Sequence, residues 1–435
     1  VRLPFGPYEP DKPPFLSTGL QQAVNVYQDA IGYRPVGQFQ SASAPLTSAP
    51  LGAASFVSGL VMCGTASNLY RLDGTSWTSL ESGYSATKWR FVQFGSIAIA
   101  TNGTDPIQKI NLTSYATADL AGPPPRAELI TVVKDFVLCG VVGGVRNKVQ
   151  WSAINNAEGW TVGLDQCDYQ ILPTGGDVTG LLGGEYGIIL QRGRVSRMTY
   201  VGNNLVFQFD ELSNNVGCRS ANSVVQAGSI GAWLSDTGFQ MWDGATIRPI
   251  GHERVDRTFA SLYAQADLAN MSTAVDLKNT LFVWTMPERS FLYNWTLDRW
   301  SVIEQPATLA FSGDTGGDPK FYVFDDTYTL GTFSGGPMEA RMQTGSVELV
   351  PGRDARISMV RPLTDAEYGI TVSFTPQSRL SDMPEQRDYT EIGPNGDMAV
   401  RESGRYFRVT LTLAPEADWT YAMGLDLTAH KGAVH

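Results

Sequence analysis

The segment Leu69-Tyr-Arg-Leu-Asp-Gly-Thr-Ser-Trp-Thr-Ser-Leu80 constrains the fold more than any other, because it reads as an antiparallel hairpin and its grammar is repeated along the chain. A two-residue connection between right-twisted strands needs positive φ, which Gly supplies freely and Asp tolerates, so the turn is expected at Asp73-Gly74 with Trp77 on the return strand. The same order of apolar strand, polar turn and Trp recurs at 240–247, turning at Asp243-Gly244, and at 291–300, where the loop is longer. A fourth copy is read at 149–160. Repetition of one such unit about every 35–45 residues is how the blades of a propeller look in sequence.

Inner strands are expected at the head of each repeat, at 55–64, 90–101, 130–142, 179–191, 223–235, 273–286 and 308–324. The small residues of 95–101 and 228–235 are expected to suit strands crowded round an axis. Stretch 177–218 reads as one blade or as part of two, which leaves six and seven blades both open. Closure is required either way, since an open array would leave an unpaired edge strand. Residues 1–54 are rich in Pro, Gly and Ser with little periodicity and predict an extended arm that wraps its own body or a neighbour's; one of its strands could supply the final pairing. Beyond Gly331-Thr-Phe-Ser-Gly-Gly-Pro337, Ile370, Val372 and Phe374 alternate with Thr371 and Ser373, and Val409, Leu411 and Leu413 with Thr410 and Thr412, the pattern of a half-buried sheet. The expected fold is therefore all-β: a six- or seven-bladed β-propeller over 55–335, an extended N-terminal arm over 1–54, a small C-terminal β-sandwich-like domain over 338–427 and a loose tail over 428–435.

Composition agrees with a turn-rich chain that buries many rings: 45 Gly, 24 Pro and 46 aromatic residues, with 17% charged. The formal charge of −11 offers nothing that recruits nucleic acid by counterion release. Arg outnumbers Lys by 24 to 8, which leans towards bidentate pairing at interfaces. Cys63 and Cys139 lie in equivalent apolar strands and Cys167 and Cys218 in loop-like sequence; none is spaced for zinc or a redox pair, and a reducing compartment is expected. No stretch has the length of a membrane helix and no signal-like apolar segment opens the chain, so membrane insertion and export are not expected. Asn102, Asn111, Asn270 and Asn294 match the glycan-acceptor pattern but read as turn residues.

Catalytic spacing is sparse. His252, within the charged stretch 250–257, is the one candidate general base, with Glu253 and Asp256 nearby, and a solvated inter-blade linker explains the stretch equally well. Ser235-Asp-Thr-Gly-Phe-Gln-Met-Trp242 approaches the turn box of sialidase propellers without indicating hydrolysis. No enzyme activity, metal or cofactor is expected. Arg192, Arg194 and Arg197 cluster at a hairpin tip suited to phosphate or a partner's carboxylates. Arg353, Arg356, Arg361, Arg401, Arg405 and Arg408 fall on the C-terminal sheet and are candidates to face an assembly partner. In the arm, Tyr27, Tyr33 and Arg34 are the candidate subunit contacts, since Tyr and Arg anchor interfaces out of proportion to their numbers.

Three stretches carry a resemblance. Asn25-Val-Tyr27 with Gly32-Tyr-Arg-Pro35, the run 344–353, and Ser403-Gly-Arg-Tyr-Phe-Arg-Val409 with 419–426 resemble the tail nozzle or tail-hub (packaged-DNA stabilisation) proteins of short-tailed bacteriophages, in the order arm, propeller, terminal β-domain. The resemblance implies a virion structural protein in the tail, assembled in the cytoplasm of the bacterial host. It implies a homohexameric ring beneath the portal and head-to-tail adaptor, a conduit for double-stranded DNA during ejection, and a dock for tail fibres or spikes. The chain is short beside the largest members, which puts an inserted fibre dock in doubt. The rival reading is a carbohydrate-binding propeller using exposed Trp for receptor recognition, with an enzyme on the same scaffold third.

Overall fold

Seven antiparallel blades follow one another in the computed structural model, six as separate four-stranded sheets and one as four strands of a larger sheet; the structure describes residues 1–15, 17–56, 59–202, 205–314, 319–382 and 385–432. The blades span 52–82, 90–119, 127–171, 178–213, 225–249, 272–303 and 309–337, so the blade number is seven and 178–213 is a single blade. First strands of blades 1 to 4 touch in turn, as do those of blades 5 to 7, and the first strand of blade 7 touches that of blade 1. Blades 4 and 5 join through Leu182, Leu190 and Trp233. Each segment expected as one inner strand contains a hairpin of first and second strands. Gly95-Ser96 and Gly228-Ser229 are therefore turns, with φ of +58° and +60° at the glycines, and not strand residues crowded at the axis.

The repeated Trp unit falls at one structural position, the junction of third and fourth strands, in blades 1, 5 and 6. In blade 1, Asp73 pairs with Ser76, so the turn is Gly74-Thr75, one residue later than expected, and of its two residues only Gly74 has positive φ, at +63°. Trp77 lies on the return strand. In blade 3 the copy at 149–160 is no hairpin: strand Val145–Trp151 leads into a loop, the fourth strand is Asp168–Ile171, and Trp160 is buried in that loop. The sequence there lacks the Asp-Gly turn, and Trp160 instead donates its indole N–H to Ala157 O at 2.7 Å. The Asn-x-Ser/Thr residues behave as turn formers. Asn102 Oδ1 accepts from Thr104 and Asp105 N–H, Asn111 Oδ1 from Thr113 and Ser114, and Asn294 Oδ1 from Thr296 and Leu297.

The arm forms five strands: β1 (Arg2–Pro4), β2 (Leu20–Val24), β3 (Val26–Asp29), β4 (Gly32–Pro35) and β5 (Gly37–Ser41). All five pair with this same chain. Strand β5 is the outermost strand of blade 7, with Gly331 opposite Ser41 and Phe333 opposite Phe39, and so closes the ring. Strand β2 lies between Arg299–Ile303 of blade 6 and Ala340–Thr344 beyond the propeller, which makes blade 6 and one sandwich sheet a continuous ten-stranded sheet. The other sandwich sheet takes β1 and the β3–β4 hairpin onto strand Ala422–Lys431. That strand pairs through Lys431 with Ala355–Thr364, so 428–431 is sheet and not a loose tail; His435 lies outside the described residues.

Ile370, Val372, Phe374, Val409, Leu411 and Leu413 are all buried, as their alternation predicts. They share one core with Phe291, Trp284 and Trp300 of blade 6, with no break between propeller and sandwich. A short helix, α1 (Asp256–Leu262), occupies the link between blades 5 and 6. Its N-terminus is capped from the arm: the Asp11 carboxylate accepts from Arg257 N at 2.7 Å, Thr258 N at 2.8 Å and the Thr258 hydroxyl at 2.7 Å. A carboxylate there satisfies N–H groups that the helix cannot.

Candidate interaction surfaces

The three arm residues part company. Tyr33 is fully buried in the shared core, and its hydroxyl donates to Gly6 O at 2.8 Å, so its ring holds the arm to its own sandwich and is no subunit contact. Burial pushes its phenol well above the usual range. Tyr27 pairs directly with Arg34 across the β3–β4 hairpin. Both line a recess of about 400 Å³ with Asp276, Lys278, Asn279 and Phe333, where the hairpin meets blades 6 and 7. Arg34 is exposed; its Nε faces Asp29 Oδ2 at 3.2 Å and Nη2 donates to Asn279 Oδ1 at 3.3 Å. At the hairpin tip Ile31 is 74% exposed, the most exposed large apolar side chain among the described residues. The sequence signalled it: an apolar residue sits in the Ala30-Ile31 turn, where polar residues are usual.

The sandwich arginines divide in the same way. Arg361 makes a two-pronged pair with Asp397, at 2.8 and 3.0 Å. Arg405 pairs with Glu348 at 2.9 Å and lies over the Tyr406 ring. Arg408 is half-buried. Arg353, Arg356 and Arg401 are exposed. Arg356 and Arg401 share a groove of about 460 Å³ with Ser358, Tyr389 and Val400, and His430 Nε2 stands 3.1 Å from the Ser358 hydroxyl.

At the turn after strand Gly187–Gln191, Arg192 pairs with Asp236 of blade 5 at 2.8 Å and Arg194 with Glu211 at 2.6 Å. Arg197 lies over the Tyr186 ring, 4.4 Å from its centroid. These side chains tie blade 4 to itself and to blade 5, and the tip presents no guanidinium without a partner from this chain. The Ser235–Gly238 segment is likewise a turn: Ser235 Oγ accepts from Thr237 N at 3.0 Å, and Gly238 has φ of +106°.

His252 and Glu253 are exposed in the link before α1, beside a recess of about 280 Å³ that also includes Asp236 and Asp256. Asp256 Oδ1 accepts from Phe239 N at 3.0 Å, while Oδ2 is buried without a hydrogen-bond partner. Burial, with no donor on Oδ2, pushes this carboxyl up to about 6. Among the described residues no group of three or more His, Cys, Asp or Glu is placed to hold a metal. No Trp ranks among the exposed large apolar side chains: eight of the ten are buried, and Trp77 and Trp295 are half-buried. Indole N–H groups donate inward, Trp284 to Ser223 O at 2.8 Å and Trp300 to Ile250 O at 2.9 Å, so these rings fill and staple the joints between blades.

No protein-family model matches the chain, and no curated protein matches it significantly. Among solved structures it is similar to the extracellular domain of a putative hybrid two-component system from B. thetaiotaomicron, at 10% identity and a TM-score of 0.48 over 84% of this chain and 47% of that one. The chain thus spans about half the length of that protein. It is also similar to the Cps50 (Swd1) β-propeller domain of Myceliophteria thermophila, at 8% identity and a TM-score of 0.46 over 68% of this chain and 98% of that one.

Proposed function

We propose that this chain is a structural subunit of a phage tail nozzle or hub: a ring beneath the portal and adaptor that conducts DNA and docks fibres or spikes. The supporting observation is mechanical. Propeller and sandwich share one sheet through β2 and one core, and the arm fastens both, so the two domains form a single rigid body suited to carrying force between neighbours. The subunit contacts proposed are Tyr27 and Arg34 at their recess, with Ile31 beside it, and Arg353 and Arg356 on the sandwich. The inward-facing Trp side chains favour this reading over a carbohydrate-binding propeller, which needs exposed rings. Native mass spectrometry of the purified chain tests it: a closed ring, expected to be a hexamer, is the predicted species, and Arg356→Glu together with Ile31→Asp should reduce it to monomer without loss of fold. A parent chain that stays monomeric at high micromolar concentration and binds glycans on an array would replace this reading with the carbohydrate-binding one.

A further inference from the structure

The first strands of the blades begin at one mouth of the propeller, and there a cavity of about 220 Å³ lies over the axis, walled by Ala53, Trp89, Ile130, Met271, Leu309 and Phe311. Two basic side chains from the lead into blade 2 reach across it. Lys88 Nζ donates to Met271 O, in the segment before blade 6, at 3.4 Å. Arg90 Nη2 donates to Asn222 Oδ1, in the turn before blade 5, at 3.1 Å. Blades 5 and 6 stand opposite blade 2 in a seven-membered ring, so both side chains span the axis. Asn222 is fixed for this role, its Nδ2 donating to Leu268 O at 3.1 Å and Ala269 O at 3.0 Å, which leaves the carbonyl turned to Arg90.

Among the described residues neither cation forms an ion pair with a carboxylate; Glu128 and the Cys218 thiol act on Arg90 only at longer range. An ammonium has three donors and a guanidinium five, so most of their N–H groups are left for the cavity. Two like charges partly buried in one cavity are each disfavoured: burial first, then Arg90, brings Lys88 down to about 8, and burial lowers Arg90. An anion between them removes that cost. The volume, at about 30 Å³ per water, equals roughly seven waters, room for one oxyanion with its hydration or a short ester and too little for a duplex.

We propose that this axial cavity is a binding site for one small oxyanion of the phosphate type, held by Lys88 and Arg90, with Asn222 as a positioning residue. The anion's source is either inorganic phosphate or the phosphoryl group of a small monoester, and the two share the same contacts. The test is isothermal titration of the full chain at pH 7 and fixed ionic strength, with inorganic phosphate in one arm and methyl phosphate in the other, in a chloride background. One site per chain is expected. Lys88→Met and Arg90→Met should each weaken it at least about tenfold, Arg90→Lys should weaken it less, and phosphate should raise the melting temperature of the parent but not of the Lys88→Met, Arg90→Met double variant. Tighter binding of methyl phosphate than of phosphate identifies a monoester as the occupant, and the reverse order identifies the free ion. Should Arg90→Met fail to fold, Lys88→Met and Arg90→Lys decide the matter. Absence of saturable binding at millimolar phosphate, or equal binding by the parent and the folded variants, overturns the proposal.

Discussion

At the scale of single residues, two aspartates near α1 show how far apart in sequence the partners of one local structure lie. Asp11 caps the helix from the arm, whereas Asp256, its first residue, is half-buried with its carboxylate tucked behind Gly238 and Gly251, whose Cα positions would not admit a Cβ beside it. Asp256 sits near 6, above the ordinary carboxylate value of 3.8, because burial outweighs the Phe239 N–H and His252, and Asp11 adds to the rise. With the folded value raised, this carboxyl's contribution to stability is fully present below about pH 3.8 and is lost as pH rises through about 6. Asp256→Asn keeps an acceptor for Phe239 and cannot ionise. Its stability relative to the parent is therefore expected to improve by about 1–3 kcal/mol between pH 4 and pH 7.5. Urea denaturation at the two pH values reads this directly, and a constant difference would show that Asp256 ionises like an exposed carboxylate. The sequence placed Asp256 beside His252, but nothing local in it reveals a burial created by two glycines and a segment more than 200 positions away.

Among elements, strands and most of the Trp-bearing turns were legible because their signals are local: alternation, Asp-Gly and Asn turns, and a Trp beside the third-to-fourth-strand turn in blades 1, 5 and 6. What local signals could not divide were first and second strands joined by two-residue turns, since Gly95-Ser96 looks like a small-residue stretch of strand until its partner is known. The arm was the hardest part. Pro and Gly make its strands short, and outside the β3–β4 hairpin every partner is distant, so its sequence left open whether it packs on its own body or on a neighbour's. Tyr33 was misjudged for this reason, as a ring offered to a neighbour when it is buried under Gly6. Lys88 and Arg90 went unnoticed because the cavity that joins them to Asn222 and Met271 is made by ring closure. The arm's two roles can be separated by truncation. Removing 1–35 takes four strands from the sandwich side and leaves β5, whereas removing 1–41 also strips the outer strand of blade 7. The longer deletion is expected to melt a few degrees lower, at roughly 2–4 °C per kcal/mol, and to be cut by protease within 309–337. Equal melting and equal cleavage of the two would mean that β5 contributes nothing to closure.

For the molecule as a whole, net charge bears directly on the proposed conduit. With a net charge of −11 and the arginines of the 192–197 turn engaged within the chain, the isolated protein is expected to bind duplex DNA no tighter than ~10⁻⁵ M at physiological salt, measured by fluorescence anisotropy. Salt-dependent nanomolar binding would contradict a conduit that lets a genome slide. The closure of blade 7 by β5 also has a consequence in time. A ribosome delivers residues 37–41 first, yet their partner strand, Leu330–Pro337, is delivered almost 300 residues later, and β1 waits longer still for Ala422–Lys431. Blades 1 to 6 can form in order as they emerge, and Asp11 and β2 find partners at α1 and blade 6, but β1 and β5 have none until nearly all of the chain is out. Their docking therefore completes folding late, by contacts of the longest separation the chain offers. A nascent chain interrupted before 330 keeps a solvent-exposed, strand-forming leader beside an open ring, and so remains distinguishable to the cell's proteases from one that has been finished.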